Sequence, residues 1–337
     1  MRGSYYPFYL GTKRVEILSL LKNFIFFAGG LSLLILGADL LIQGCVKLSY
    51  AFLITPLFVG VILVALGTSL PEAGVSIIAQ IKNYKEIALG NVIGSCIANI
   101  GLVLGICALL KPSKANRKLF KNELPVMILA IIIFYLLSQD LILTRWEGLI
   151  FLLLLVIFLF FSYKGAKVTS VELNELKEFK FRRVFEQINS KFMIILLSIF
   201  SLGLVIWGAN LMIKSGVFLA KTFGISNWII SITVFAIGTS LPELATSLAA
   251  SFKKIGSISM GNIIGSNIFN ILFILGVVSL IRPIKISPSM LKFEFPILLL
   301  FSLFLFRSRY TGYKITRWQG LILVIGYIIF IILLIVR

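Results

Sequence analysis

The feature that most constrains this chain is that it contains itself twice. Gly67-Thr-Ser-Leu-Pro-Glu72 recurs with all six residues identical at Gly238 to Glu243, an offset of 171. The same offset carries Gly90-Asn-Val-Ile-Gly-Ser-Cys-Ile-Ala-Asn99 onto Gly261-Asn-Ile-Ile-Gly-Ser-Asn-Ile-Phe-Asn270, with seven of ten residues identical. The register also pairs Gly37 with Gly208, Pro112 with Pro283, Glu123 with Glu294 and Pro125 with Pro296. Thr144-Arg-Trp-Glu-Gly-Leu-Ile matches Thr316-Arg-Trp-Gln-Gly-Leu-Ile at offset 172. Shared apolar composition does not hold Gly, Pro, Asn and Glu in step over such a length, so the chain is a duplication.

What is duplicated is membrane-spanning. Mean hydropathy is +1.05, and only 13% of the 337 residues are charged. Apolar runs of about 20 residues, the length of a helix that crosses a bilayer, recur between short basic segments. Barrel strands alternate in shorter pieces. Ten spans are expected, with cores at Phe24–Lys47, Thr55–Lys82, Glu86–Leu110, Leu124–Gln139, Arg145–Tyr163, Phe192–Lys214, Trp228–Phe252, Ser257–Ile281, Met290–Phe306 and Thr316–Val336. Each half holds five, an odd number, so the second half enters the membrane from the opposite side. The expected fold is therefore an all-α integral membrane protein of ten transmembrane helices, arranged as two inverted five-helix repeats with helices 2 and 7 broken. Its divisions are an N-terminal extension (1–23), the first repeat (24–163), a charged cytoplasmic linker (164–191) and the second repeat (192–337). The linker is too short to hold a folded soluble domain.

A net charge of +19 on a soluble chain would suggest nucleic acid, but here the Lys and Arg residues lie in the connections and set topology. The loops after spans 1, 3, 5, 7 and 9 hold about 19 of the 32, which puts both termini outside and makes the protein a multi-pass protein of the cell membrane. The basic start is read as leading into a retained first helix, because the apolar run is long and lacks a small-residue cleavage pattern. Cys45, Cys96 and Cys107 lie in apolar segments and suggest neither disulfides nor a thiolate metal site, and with no histidine the chain has no imidazole chemistry.

An acidic side chain in the middle of a span costs about 3 kcal/mol even on lenient scales, and Glu72 and Glu243 are such residues. Pro71 and Pro242 remove an amide donor and clash with the preceding turn, so each helix should break just before its glutamate. The break frees carbonyls, here Ala65 to Thr68 and Ala236 to Thr239, which are tolerated only where they line a cavity or bind an ion. Ser95 and Asn99 stand four residues apart on one helix face, as do Ser266 and Asn270. Gly90, Gly94, Gly261 and Gly265 would let those helices approach the broken ones. The expected ligands are Glu72, Glu243, Thr68, Ser69, Ser95, Asn99, Thr239, Ser240, Ser266 and Asn270, with backbone oxygen from Ala65 and Ala236. All are hard oxygens, suited to Ca²⁺ or Na⁺ rather than Zn²⁺ or Cu²⁺. Two buried glutamates would hinder an unloaded site from crossing between conformations, which is the logic of antiport. Packing alone accounts for the glycines; interhelical hydrogen bonding is the competing explanation for the Asn and Ser pairs.

At these two motifs the chain resembles the sodium/calcium exchangers of the cation/calcium antiporter superfamily, in their prokaryotic form. The resemblance covers nearly the whole chain. It implies helices 2, 3, 7 and 8 around one Ca²⁺ site and several Na⁺ sites, with helices 1 and 6 sliding past them. Glu72 and Glu243 then match the principal Ca²⁺ ligands, and Ser69, Ser95, Asn99, Ser240 and Ser266 the Na⁺ or supporting ligands. Asn270 stands where several relatives, potassium-dependent exchangers among them, have Asp. Proton-coupled exchangers are less similar, since they carry Glu soon after Gly-Asn where this chain has Ile93 and Ile264.

The resulting expectation is exchange of Ca²⁺ for Na⁺ by alternating access, with no cofactor, no nucleic acid and no obligatory protein partner. A cation/H⁺ antiporter on the same scaffold is the runner-up. A passive channel fits inverted broken helices poorly. An intramembrane hydrolase lacks a nucleophile and base, so no enzymatic activity is expected. Asp39, whose repeat mate is Asn210, reads as a hydrogen-bonded packing group, and Trp146 and Trp318 as interfacial anchors.

Overall fold

The backbone follows the punctuation of the sequence. In the computed structural model, which describes residues 7–114, 116–168, 183–188, 190–224 and 238–336, nearly every described element is helical. Span 1 is one helix from Pro7 to Phe52, so it begins well before the apolar core does. Span 2 runs Pro56–Thr68 and Leu70–Ile81, bent by 42° between them. Span 3 is Lys85–Leu110, span 4 Leu119–Leu137, span 5 Arg145–Lys164, span 6 Lys191–Leu219, span 8 Gly256–Ile281, span 9 Pro288–Thr311 and span 10 Arg317–Val336. Span 7 is described from Gly238 and is helical over Leu241–Phe252. Its first half, with the expected carbonyl of Ala236, lies outside the described residues, as does most of the linker.

Contacts between loops sort the connections onto two faces. On one face, Thr55 after span 1 donates its amide to Ala166 after span 5 at 2.8 Å, and Lys114 after span 3 bridges Lys314 after span 9. Gly256 at the start of span 8 packs against the Lys114 carbonyl. On the other face, β1 (Ile142–Leu143, after span 4) pairs antiparallel with β2 (Ile284–Lys285, after span 8). There Gln80 Nε2 donates to the Arg282 carbonyl at 2.6 Å, and the Arg145 guanidinium to Ile281 at 3.2 Å. Connections after odd-numbered spans thus meet one another, and those after even-numbered spans meet on the opposite side, as inverted repeats of five require.

The repeated Thr-Arg-Trp motif is explained by local chemistry. Thr144 caps span 5 in a box, accepting the Glu147 amide at 3.4 Å while Glu147 Oε2 accepts the Thr144 amide. Thr316 and Gln319 build the same box at span 10, with distances of 3.3 and 2.8 Å. Each satisfies amides that a helix start leaves unpaired inside a membrane. Trp146 and Trp318 are 77% and 74% exposed beside these caps, the position of interfacial anchors.

Spans 2, 3, 7 and 8 form the centre, and spans 1 and 6 cross each other against it. That crossing depends on glycine. A Cβ on Gly37 would stand 2.8 Å from the Val205 amide, and one on Gly208 would stand 2.5 Å from the Leu34 amide. Only a residue without a side chain allows backbones that close.

Candidate functional site

The two half-helices that carry the glutamates start with the same geometry. Ser69 leaves the helix with φ −82° and ψ 1°, and Leu70–Ile81 restarts with Pro71 in its first turn. Ser240 has φ −88° and ψ 6°, and Leu241–Phe252 restarts with Pro242 there. Proline fits a first turn, where its missing amide would be unpaired anyway. Glu72 and Glu243 consequently sit in the first turn of a half-helix, where unpaired amides give a positive end that favours a carboxylate. Both are fully buried.

Around these carboxylates the two halves interleave. Ser69 Oγ donates to Glu243 Oε1 at 3.4 Å, so the first repeat's serine serves the second repeat's acid. Thr68 and Ser266 also flank Glu243, Thr239 flanks Glu72, and the two carboxylates face each other electrostatically. Ser95 Oγ and the Thr239 hydroxyl are 3.3 Å apart. The Ala65 carbonyl keeps its helical partner, the Ser69 amide at 3.0 Å, and also lies 3.4 Å from Thr68 Oγ1 and 3.5 Å from Ser266 Oγ. The carbonyl deprived of its amide by Pro71 is that of Gly67. Thr68, Ser69 and Ser266 are thus gathered at Glu243, and Thr239 with Ser95 at Glu72; Asn99 Nδ2 is committed to Asn267 Oδ1 at 3.1 Å, whereas among the described residues neither amide atom of Asn270 has a hydrogen-bond partner.

What remains unsatisfied defines the chemistry. Among the described residues, both oxygens of Glu72, Oε2 of Glu243, Oδ1 of Asn99, Oδ1 of Asn270 and Oγ of Ser240 are buried without a hydrogen-bond partner. Buried polar atoms are almost always paired, and two facing carboxylates from the two repeats with most of their oxygens unpaired fit a hard cation cargo. Asn99 and Asn270 each open a π-helical turn, Asn99–Leu104 and Asn270–Ile274, a distortion frequent at functional sites.

Gly265 and Gly261 bring span 8 onto span 2 as their spacing suggests. A Cβ on Gly265 would collide with the Val61 carbonyl and stand 2.7 Å from the Ala65 Cβ, and one on Gly261 would stand 3.3 Å from the Leu57 carbonyl. The surface that Gly90 and Gly94 would approach by symmetry belongs to residues outside those described.

Sequence reasoning gave no role to three asparagines that hold this site together. Asn91 Nδ2 donates to the Glu72 carbonyl at 3.1 Å and to Ser76 at 2.9 Å. Its mate Asn262 donates to Thr246 and Ser247 at 3.0 and 2.9 Å, reaches the Glu243 carbonyl at 3.5 Å, and accepts from Thr68 at 3.2 Å. They tie each restarted helix to the neighbouring span at its glutamate. Asn267 links the repeats directly, donating to the Cys96 carbonyl at 3.2 Å. For Asn91 and Asn262 the signal was present, since both are identical across the offset.

Comparison with known proteins agrees with the duplication. The family profile described as "Sodium/calcium exchanger protein" matches twice, at residues 22–164 and 193–336, once in each repeat. This chain belongs to the sodium/calcium exchanger family. Among its relatives, the sodium/calcium exchanger MaX1 of Methanosarcina acetivorans is 31% identical over 93% of this chain and 98% of that one. The inner membrane protein YrbG of Escherichia coli is 33% identical over 90% and 94%. A solved structure of the sodium-calcium exchanger NCX_Mj, soaked with zero Na⁺ and Ca²⁺, superposes with a TM-score of 0.79 at 32% identity, covering 94% of this chain and 99% of that one. The exchanger fold is thus that of a membrane antiporter, as the repeat implied.

Proposed function

We propose that this exchanger moves Ca²⁺ in one direction and Na⁺ in the other by alternating access, with both ions bound between Glu72 and Glu243. The observation that carries the reading is that Glu72 and Glu243, one from each repeat, face each other fully buried with three of their four carboxylate oxygens unpaired among the described residues. Ca²⁺ takes six to eight oxygens in flexible cages, and carboxylates with hydroxyl, amide and carbonyl oxygen supply that mixture. Thr68, Ser69, Ser95, Thr239, Ser240, Ser266, Asn99, Asn270 and the backbone oxygens of Ala65 and Ala236 complete the set.

Charge explains the coupling. Two facing carboxylates repel in a low-dielectric interior, so the unloaded site resists the occluded conformation, while one Ca²⁺ or several Na⁺ relieve that repulsion. Only loaded forms then cross readily, which makes the flux an exchange. We place the protein in the cell membrane with both termini outside; the support is the face of the odd-numbered connections, which holds about 19 of the 32 Lys and Arg residues.

The test is ⁴⁵Ca²⁺ uptake into proteoliposomes loaded with Na⁺, with K⁺, or with a proton gradient alone. Uptake driven specifically by internal Na⁺ is expected. Uptake that follows the proton gradient and ignores Na⁺ would replace this reading with Ca²⁺/H⁺ exchange, and uptake without any counter-ion would make the protein a channel.

A further inference from the structure

Spans 1 and 6 are repeat mates, so each has an equivalent surface to rest on. For span 1 it is the second half of span 7, Leu241–Phe252, and for span 6 the second half of span 2, Leu70–Ile81. The structure uses only the first. Ala38, Leu41, Ile42 and Cys45 of span 1 are buried in one apolar cluster with Ala250, against which Leu241, Ala245 and Ala249 pack. Leu70 and Ile78, the mates of Leu241 and Ala249, are 49% and 55% exposed. Among the described residues, span 6 makes no comparable contact with Leu70–Ile81. Because Leu241–Phe252 ends on the linker face and Leu70–Ile81 on the other, the molecule is closed by span 1 on the linker face and left uncovered on the opposite one.

At the end of the closed contact, Lys253 Nζ lies 2.6 Å from Asp39 Oδ1, with both side chains 22% exposed. Asp39 Oδ2 accepts from Gln43 Nε2 at 2.8 Å, and Gln43 is fully buried, so the carboxylate is held toward the lysine. The offset of 171 pairs Lys253 with Lys82 and Asp39 with Asn210. The lysine is present in both repeats; the acid is in one. Both Lys82 and Asn210 are exposed here. Exchanging the roles of the repeats, as alternating access does, brings Asn210 to Lys82 in the place of Asp39 at Lys253, without a charge to meet it.

We propose that Asp39 and Lys253 are a gating pair that favours closure on the linker face, and that the absence of an acid at position 210 leaves the opposite closed state without an equivalent. The exchange equilibrium between the two states is thereby tilted by residues that touch neither ion. The proposal rests on the alternating-access reading for its function, but the pair is read out without any transport measurement. Asp39, which the sequence alone marks as a packing group, is a positioning residue for the conformational step.

The experiment compares two reporters at repeat-mate positions, Ile78→Cys and Ala249→Cys, labelled by a membrane-impermeant maleimide in purified protein; the native cysteines are buried. With the gating pair intact, Ile78→Cys should label faster. Asp39→Asn should lower the ratio of the two rates by about fivefold, the scale of a partly exposed ion pair. Asn210→Asp, which supplies Lys82 with an acid, should lower it by a similar factor even if Asp39→Asn folds poorly, and the two together should lower it further. A ratio unchanged within about twofold in both Asn210→Asp and the double variant overturns the proposal. Absence of Na⁺-driven Ca²⁺ uptake in the unaltered protein would defeat the exchange reading instead, leaving the labelling ratio to be judged alone.

Discussion

Glu72 and Glu243 occupy identical positions in identical hexapeptides, yet the two repeats hold them differently. Glu243 accepts Ser69 Oγ at 3.4 Å, whereas both oxygens of Glu72 and Oγ of Ser240, the mate of Ser69, have no hydrogen-bond partner among the described residues. Thr68 reaches across to Asn262, while its mate Thr239 stands beside Ser95 rather than Asn91. The same inequality reappears outside the centre, where span 1 covers half of span 7 and span 6 leaves half of span 2 uncovered. Duplication supplies equivalent groups; a single conformation uses them unequally. The inequality is therefore a property of the state, and the other state should carry it reversed.

The most severe way to break the equivalence is to remove one acid. Glu72→Gln or Glu243→Gln should each reduce Na⁺-driven ⁴⁵Ca²⁺ uptake by at least about 100-fold, since a neutral amide cannot balance a divalent ion in an apolar interior, with folding intact by size-exclusion profile. Normal uptake in either variant would show that one carboxylate suffices and that the repeats are not functionally paired. Next in size is the contact between spans 8 and 2. Gly265→Ala drives a methyl into the Val61 carbonyl and should lower stability by about 1–3 kcal/mol, seen as a reduced midpoint of thermal unfolding in detergent. An unchanged midpoint would mean that the two spans separate easily.

A third variant sharpens the comparison between the second motifs. Among the described residues Asn270 has no hydrogen-bond partner for either amide atom, whereas Asn99 is held by its Nδ2 to Asn267. Asn270→Asp should therefore lower the Ca²⁺ concentration for half-maximal uptake by about tenfold, the effect of one added charge worth roughly 1.4 kcal/mol, and Asn99→Asp by less. Equal effects would argue that both positions face the ion alike. The smallest expected difference is between serines: Ser69→Ala, which strips a hydrogen bond from Glu243, should change Na⁺ dependence by about threefold to tenfold, with a smaller change for Ser240→Ala. If Ser240→Ala proves the more damaging, its hydroxyl is an ion ligand in the state with the greater weight.

Much of this was legible because duplication leaves a signal that periodicity does not. The offset located both breaks, both glutamates and the Ser and Asn pairs, and five spans per half dictated the inversion that the loop contacts display. The start of span 1 at Pro7 was not legible, since Lys13, Arg14 and Glu16 interrupt the apolar pattern without preventing a helix. Nor were the π-helical turns at Asn99 and Asn270, which arise from how spans 3 and 8 pack and leave no residue signature. Asn91 and Asn262 were visible as identities, but a donor to a backbone carbonyl can be assigned only once the carbonyl has a place. The Asp39–Lys253 pair joins residues more than 200 positions apart, a relation no local pattern encodes.

The glycine crossing of spans 1 and 6 has a geometric consequence. Gly37 approaches Val205 and Ser201, and Gly208 approaches Leu34 and Gly30. Replacing each residue by its mate turns the first set into the second, so this contact maps onto itself when the repeats trade places. A junction of that kind sits on the axis of the exchange and looks the same before and after it. Spans 1 and 6 can then tilt as one lever about a fixed fulcrum, and a covalent tie between them at this point would pin the axle without stopping the wheel.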